Sequence, residues 1–487
     1  MNGLSQKRYL ELPLPTEDDP RSDQQRILDS LAAAGVEERV HIPVHILRQL
    51  YPLLDNAKWK ITVSLAWNGE NWEMVEIEEG DTTAQHYGLA VDLGSTTVVA
   101  RLLDCNSGEI LKEVSSFNKQ IQWGTDILSR IFYCKDNKEK LEEVRRATVE
   151  SICECMDKLD ASHSALSMVI AGNTTMIHFL LGMDAFCVFY TPHAVHADRP
   201  GFQLARDLDI PLKGYVYCYP AKSNYLGGDI ISGMIDTELY KKNEISVFFD
   251  IGTNGELVIG NKEFLLCGAG AAGPALEGGV VRTGMRAEAG AVDEVKIRDG
   301  NIYVHVIGSH KEDSGSHEKN SGNHEDNSSG EEPQGICGSG IIDLIAELFL
   351  EGWIDIRGKF STEKSPLIQE RDNQLCVEYA PGLYFYQKDI DEFIRTKSAA
   401  HTMVEIMLRE SGLDLNQADR FYVAGAFGKH VSKESAITIG IYPDMDRDHI
   451  INAGNSSLEG AQKLLLNRSL LTDIDQILEE MIYIQFA

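Results

Sequence analysis

No uninterrupted apolar run in the 487 residues approaches the roughly 20 that a bilayer-spanning helix requires. The opening residues also lack the basic-then-apolar order of a secretory signal. These absences lead to the expectation of a cytoplasmic protein with no membrane association. Basic residues are scarce: 45 Lys and Arg stand against 75 Asp and Glu, a formal charge of −30. A surface of that sign repels phosphate backbones, which argues against nucleic acid or an anionic membrane as partner. It suits a basic face on another protein, although a solvated surface is the commoner reason for such a charge. Paired cysteine spacings are missing too. The nine cysteines, at 105, 134, 153, 155, 187, 218, 267, 337 and 376, are scattered and odd in number, and read as buried reduced thiols. Cys153 and Cys155 fall in a helical pattern, where residues two apart face different ways. Cys337 precedes an amphipathic helix, whose dipole would lower a thiol pKa; the alternative is a small buried side chain at a tight turn.

The chain is too long for one core and fits two or three domains. Residues 1–35 open on a proline-rich, acidic lead followed by a short helix, and read as a linker. Residues 36–86, with alternating strands at Trp59–Ala66 and Trp72–Ile77, suffice for a small α/β subdomain. A middle region follows over 87–242, then a C-terminal region over 243–487. Within the latter, 309–334 is almost purely polar and reads as a disordered insertion. The last residues, 477–487, read as a strand.

Two signatures far apart look like copies of one device: Ala90-Val-Asp-Leu-Gly-Ser-Thr-Thr-Val-Val99 and Val247-Phe-Phe-Asp-Ile-Gly-Thr-Asn-Gly-Glu-Leu-Val-Ile-Gly260. Each reads as strand, turn, strand, with an aspartate (Asp92, Asp250) delivered to a turn of glycine and small polar residues. Such a turn brings backbone N–H groups close to a phosphate: Gly94, Ser95, Thr96 and Thr97 in the first, Gly252, Thr253, Asn254 and Gly255 in the second. The aspartates would orient Mg²⁺ through its waters, and Glu256 would position water or face solvent. One such turn alone is an ordinary hairpin; the duplication points to a nucleotide cleft. A third element, an apolar strand running into Gly425, Ala426, Phe427 and Gly428, suits an adenosine lying against backbone. Gly172, Asn173 and Thr174 either line the cleft or start a helix, as do Gly228 and Asp229. Gly338, Ser339 and Gly340 bind ligand or permit close helix packing.

Together these elements resemble the phosphate-1, phosphate-2 and adenosine motifs of sugar kinases, heat-shock ATPases and actin. The chain as a whole resembles the reductive activators of corrinoid proteins. The likeness rests on Gly88-Leu-Ala-Val-Asp-Leu-Gly-Ser-Thr-Thr97, Trp123-Gly-Thr-Asp-Ile-Leu-Ser-Arg-Ile131, Ala171-Gly-Asn-Thr-Thr-Met176, Gly227-Gly-Asp229, Asp250-Ile-Gly-Thr-Asn-Gly-Glu256, Ala272-Gly-Pro-Ala-Leu-Glu-Gly278, Gly335-Ile-Cys-Gly-Ser-Gly340 and Ala424-Gly-Ala-Phe-Gly428, in the family's order.

The resemblance implies a bilobal α/β actin-like ATPase fold, made of duplicated ribonuclease-H-like domains with a small N-terminal subdomain. It implies Mg²⁺ and ATP as cofactors, and a corrinoid protein of a methyltransferase system as partner. The activity implied is ATP-driven return of an inactive Co(II) corrinoid to Co(I). Family members commonly begin with a [2Fe–2S] ferredoxin domain. With the first cysteine at Cys105, no iron–sulfur cluster is expected here, and a separate ferredoxin or flavodoxin is expected to supply the electron. A homodimer is the expected assembly. Other readings are a small-molecule kinase on the same fold, a nucleotide-dependent remodelling or scaffold protein without a redox role, and an ATPase bridging a [4Fe–4S] cluster between subunits.

Overall fold

The computed structural model describes residues 2–484, apart from 125, 162–163, 253–254, 271–280, 309–331, 415–416 and 426–430. It divides into two units, the first built from the chain up to Tyr240 together with Asn455–Tyr483, the second from Lys241–Gly454. The polar insertion expected at 309–334 falls almost wholly outside the described residues.

The first unit starts with a small sheet whose strand order is Ser5–Glu11, Lys60–Trp67, Trp72–Glu79, Val40–His41. Within the stretch 1–35, expected as a linker, Ser5–Glu11 pairs antiparallel with Lys60–Trp67 along its whole length, Ser5 opposite Ala66 and Glu11 opposite Lys60. Leu4 and Leu10 are buried, and Lys7 is covered but answered by Glu78 at 2.6 Å. The helix Asp23–Ala33, capped by Ser22, lays Ile27 and Leu31 on the same core as Ile61, Val63, Leu65, Trp72 and Met74.

The main sheet of this unit runs in the order Ile110–Phe117, Thr97–Asp104, Tyr87–Leu93, Ala165–Gly172, Tyr215–Cys218, with Gly201–Leu204 at the edge. Tyr87–Leu93, Thr97–Asp104 and Ile110–Phe117 form an antiparallel meander; Ala165–Gly172 lies parallel to Tyr87–Leu93, Tyr215–Cys218 parallel to Ala165–Gly172, and Gly201–Leu204 antiparallel to Tyr215–Cys218. Ala165–Gly172 is buried along its full length, as a parallel strand covered on both faces must be.

The second unit repeats this plan. Leu265–Gly270, Gly255–Gly260, Ser246–Ile251, Arg420–Ala424 and Ile450–Gly454 are adjacent in that order, with the same sequence of antiparallel and parallel pairings. With the edge strand Gly201–Leu204 set aside, each sheet carries these five strands in the sequence order third, second, first, fourth, fifth, the duplicated architecture expected for an actin-like fold. Helices Gly338–Leu350 and Gln387–Ser411 complete the core of this unit.

In the first unit, helix Gly228–Thr237 packs on helix Ser456–Leu466. Their approach is close because residue 460 has no side chain: a Cβ there would lie 1.9 Å from the Ser232 carbonyl oxygen. Ser232 Oγ donates to the Ser457 carbonyl at 2.6 Å, and Tyr219 Oη to that of Gly460 at 2.9 Å. Gly460→Ala is therefore expected to cost about 3 kcal/mol through overpacking, against a gain of about 1 kcal/mol for the same change in an exposed helix. Urea unfolding monitored by circular dichroism checks this, and an unchanged or raised midpoint would contradict the close approach. The chain end differs in part from expectation. Leu470–Glu480 is a helix, burying Ile474, Ile477 and Leu478 at helical spacing, and the strand that follows is confined to Met481–Tyr483.

Candidate functional site

Asp92 is the penultimate residue of Tyr87–Leu93, with Val99 opposite it on one side and Ala171 on the other. Both carboxylate oxygens accept hydrogen bonds: Asn455 Nδ2 donates to Oδ2 and Ser457 Oγ to Oδ1, each at 2.9 Å. Burial raises the Asp92 pKa, and these two bonds pull it back. Asn455 has a second task, since its Oδ1 accepts from the Leu458 N–H and caps the helix Ser456–Leu466. The Gly-Asn-Ser-Ser run is legible in the sequence as a cap; its hold on Asp92 is not.

Asp229 occupies the first turn of helix Gly228–Thr237 and accepts from the Ile230 N–H at 2.9 Å. Burial, with the charge of Asp92 adding to it, pushes this carboxyl up to about 7. Two buried carboxylates, both raised by burial and Asp229 also by the charge of Asp92, form a donor set suited to a hard divalent cation, which would favour their ionised forms. Among the described residues there is no group of three or more His, Cys, Asp or Glu placed to hold a metal. Mg²⁺ does not need one, because it keeps several waters and takes one or two carboxylates with substrate phosphates. The Asp92 and Asp229 pair fits that ion.

The glycines around this pair are set by close backbone approach. A Cβ on Gly94 would lie 2.4 Å from the Thr97 carbonyl oxygen, and one on Gly172 2.7 Å from that of Leu93. Asn173 caps helix Thr174–Leu180 by accepting from the Met176 N–H, and Thr174 Oγ1 donates to the Ser223 carbonyl. A Cβ on Gly227 would meet Asn173 Cα at 2.5 Å, and one on Gly228 would meet Tyr219 Cβ at 2.5 Å. The segments 171–174 and 227–229, separate motifs in the sequence, are thereby brought against each other beside Asp92. Ser95 and Thr96 form the half-buried turn that follows it, and Thr97 opens the next strand.

In the second unit Asp250 holds the corresponding penultimate place, in Ser246–Ile251. Glu256 lies directly opposite it across the hairpin and Ala424 on its other side. Facing residues of an antiparallel pair project from the same face, so Asp250 and Glu256 share one. Gly252 and Gly255 flank the turn; Thr253 and Asn254 lie outside the described residues. Gly425 follows the strand Arg420–Ala424 with φ of 87°, while Ala426, Phe427 and Gly428 are likewise outside the described residues, as is the run 272–278. Gly338, Ser339 and Gly340 begin the helix Gly338–Leu350, and a Cβ on Gly340 would meet the Val292 carbonyl oxygen at 2.4 Å. Close helix-to-strand packing accounts for that glycine.

None of the nine cysteines is in a disulfide, and seven are buried. Burial pushes the Cys105 and Cys218 thiols up to about 12 and Cys134 to about 11, the direction of inert structural thiols. Cys337 Sγ is buried against the Val292 carbonyl and Ser339 Oγ.

Three family models match the chain in order: the RACo linker region over residues 1–84, the RACo middle region over 87–242, and the C-terminal domain of RACo, the ASKHA domain, over 244–487. Among curated proteins, the corrinoid activation enzyme RamQ of Eubacterium limosum is 30% identical over 405 residues, covering 78% of this chain and 64% of that protein. The [Co(II) methylated amine-specific corrinoid protein] reductase of Methanosarcina barkeri is 25% identical over 408 residues, covering 81% and 73%. The chain thus spans a little under two thirds of the length of RamQ. Among solved structures, a reductive activator for corrinoid, iron–sulfur protein superposes with a TM-score of 0.87 at 34% identity, over 99% of this chain and 76% of that one.

Proposed function

The chain belongs to the RACo family, and from that premise we propose that it is an ATP-dependent reductive activator of a corrinoid protein serving methyl transfer. One electron is added to Co(II) to give Co(I), and ATP with water yields ADP and phosphate. A ferredoxin or flavodoxin supplies the electron. The observation that carries the reading is the duplication: two sheets of one topology, each with an aspartate at the penultimate position of its first strand and a glycine turn after it.

In this reading Asp92 and Asp250 orient Mg²⁺, which when bound neutralises phosphate charge and fixes the attacking water. Asp92 is held for that task by Asn455 and Ser457, so its oxygens do not rotate. Gly94, Ser95, Thr96 and Thr97, with Gly252, Thr253, Asn254 and Gly255, bind phosphate oxygens; Glu256 positions water, and the turn from Gly425 borders the adenosine. Hydrolysis drives the corrinoid step only if the nucleotide-bound forms differ in affinity for the partner.

The test is anaerobic. The protein is mixed with a Co(II) corrinoid protein and reduced ferredoxin, and the Co(II) electron paramagnetic resonance signal is followed. MgATP should bleach that signal with turnover of ATP, and MgADP should not. A signal that decays equally with and without ATP would defeat the proposal.

A further inference from the structure

The turn Gly94–Thr96 is tied down from behind by two side chains that neither hairpin supplies. Asn118 Nδ2 donates to the Gly94 carbonyl at 2.9 Å, Arg130 Nη1 to that of Ser95 at 2.6 Å, and the Asn118 backbone N–H to that of Thr96 at 2.9 Å. Three successive carbonyls therefore point into the protein. A trans peptide directs its N–H opposite to its C=O, so N–H groups of this turn are directed the other way. Among the described residues the Ser95 and Thr96 N–H groups have no acceptor. Free donors in front and bound carbonyls behind make an anion-binding concavity.

The brace is itself fixed. Asn118 and Arg130 are fully buried. Asn118 Oδ1 accepts from the Gln120 N–H, and Gln120 is bonded to Thr148 of the helix Lys138–Lys158. Arg130 Nε donates to the Gly124 carbonyl at 3.0 Å, and Nη1 also to Gln120 Oε1. Arg130 Nη2 is buried with no partner, and the charge of Asp126 acts on this guanidinium without an ion pair among the described residues. Burial lowers its pKa to about 10, which leaves it charged at neutral pH. An interior cation with no carboxylate in contact is costly to the fold. It becomes useful when an anion sits on the turn that it holds.

We propose that Arg130 and Asn118 are positioning residues for a polyphosphate at the Gly94–Thr96 turn, Arg130 adding the positive charge that the phosphates balance. The inference rests on the nucleotide reading above and deepens it, since it assigns affinity for the phosphates, not the adenosine, to a side chain outside the two hairpins.

Arg130→Lys keeps the charge and loses the fork that serves several carbonyls; Arg130→Gln loses the charge and keeps one donor. Calorimetry measures the affinity of the wild type and both variants for MgATP, inorganic tripolyphosphate and adenosine at several salt concentrations. ATP and tripolyphosphate are expected to bind about 10–100-fold more weakly to both variants, with adenosine unaffected. The salt dependence should match the wild type in Arg130→Lys and be shallower in Arg130→Gln. Either folded variant decides the matter. A wild type that binds neither ATP nor tripolyphosphate overturns the nucleotide reading itself. A wild type that binds both, beside variants with unchanged phosphate affinity or an equal loss for adenosine, overturns the role of Arg130.

Discussion

Asp250→Ala is expected to lower ATP turnover by about 10³-fold while leaving the far-ultraviolet circular dichroism and the unfolding midpoint near those of the wild type. The size follows from removing a group that orients the metal and, through it, the charge that develops on the phosphates. The intact fold follows from the register. Asp250 faces Glu256 across the Ser246–Ile251 and Gly255–Gly260 hairpin, and like charges placed directly opposite destabilise a strand pair. Alanine leaves the backbone ladder in place. Phosphate release measured beside the dichroism spectrum separates the two effects. Unchanged turnover in a folded variant would remove the second hairpin from the active site.

Asp229→Asn should move stability and activity in opposite directions. The Asp229 carboxyl is pushed up to about 7 by burial and by Asp92. A carboxyl raised in the folded state adds stability that is complete below its unfolded pKa, near 4, and is lost as pH rises through the folded value. At pH 8 the wild type carries the full burden of a buried, ionised Asp229, and asparagine removes it. The variant without nucleotide is expected to be more stable at pH 8 by about 1–4 kcal/mol, one pKa unit being worth about 1.4 kcal/mol. The advantage should shrink through pH 6.5 and vanish near pH 4, where the wild-type group is itself protonated. Turnover should fall about 100-fold, because the site loses part of its hold on the metal and gains nothing in the transition state. Thermal melts at the three pH values, with phosphate release at pH 8, check both halves. Equal stability at pH 8 would show that the two carboxylates do not burden the fold.

Both predictions concern residues that short stretches of sequence single out. Asp92 and Asp250 stand out because an apolar run, an aspartate and a glycine turn recur at two distant places, and a strand–turn–strand reading needs only neighbouring residues. The helix caps at Asn173 and Asn455 are legible for the same reason, since an N-cap acts within three residues. Local composition says less elsewhere. Pro13, Pro15 and the acids after them give the N-terminal stretch the character of a linker, and they do not disclose that Ser5, Lys7 and Leu10 are buried in a sheet. At the other end the apolar residues after Ile477 suggest a longer strand than Met481–Tyr483, while Ile474, Ile477 and Leu478 fall at the helical spacing of three and four. Arg130 lies in one of the runs on which the family resemblance rests, but nothing near it in the chain names the Ser95 carbonyl as its acceptor.

The amino-acid order by itself determined the two hairpins, their aspartates, the glycines that close their turns, and membership of the family, all of which are written in short runs of adjacent residues. Tertiary structure alone decided what each of those groups touches. Asn455 reaches Asp92 across 363 positions of sequence, and Asp229 senses Asp92 from a separate helix. Those meetings depend on the order in which strands join a sheet and on how closely two helices approach at Gly460. A turn is specified by the dihedral preferences of its own residues, whereas a contact between distant segments is specified by packing that the whole unit must satisfy at once.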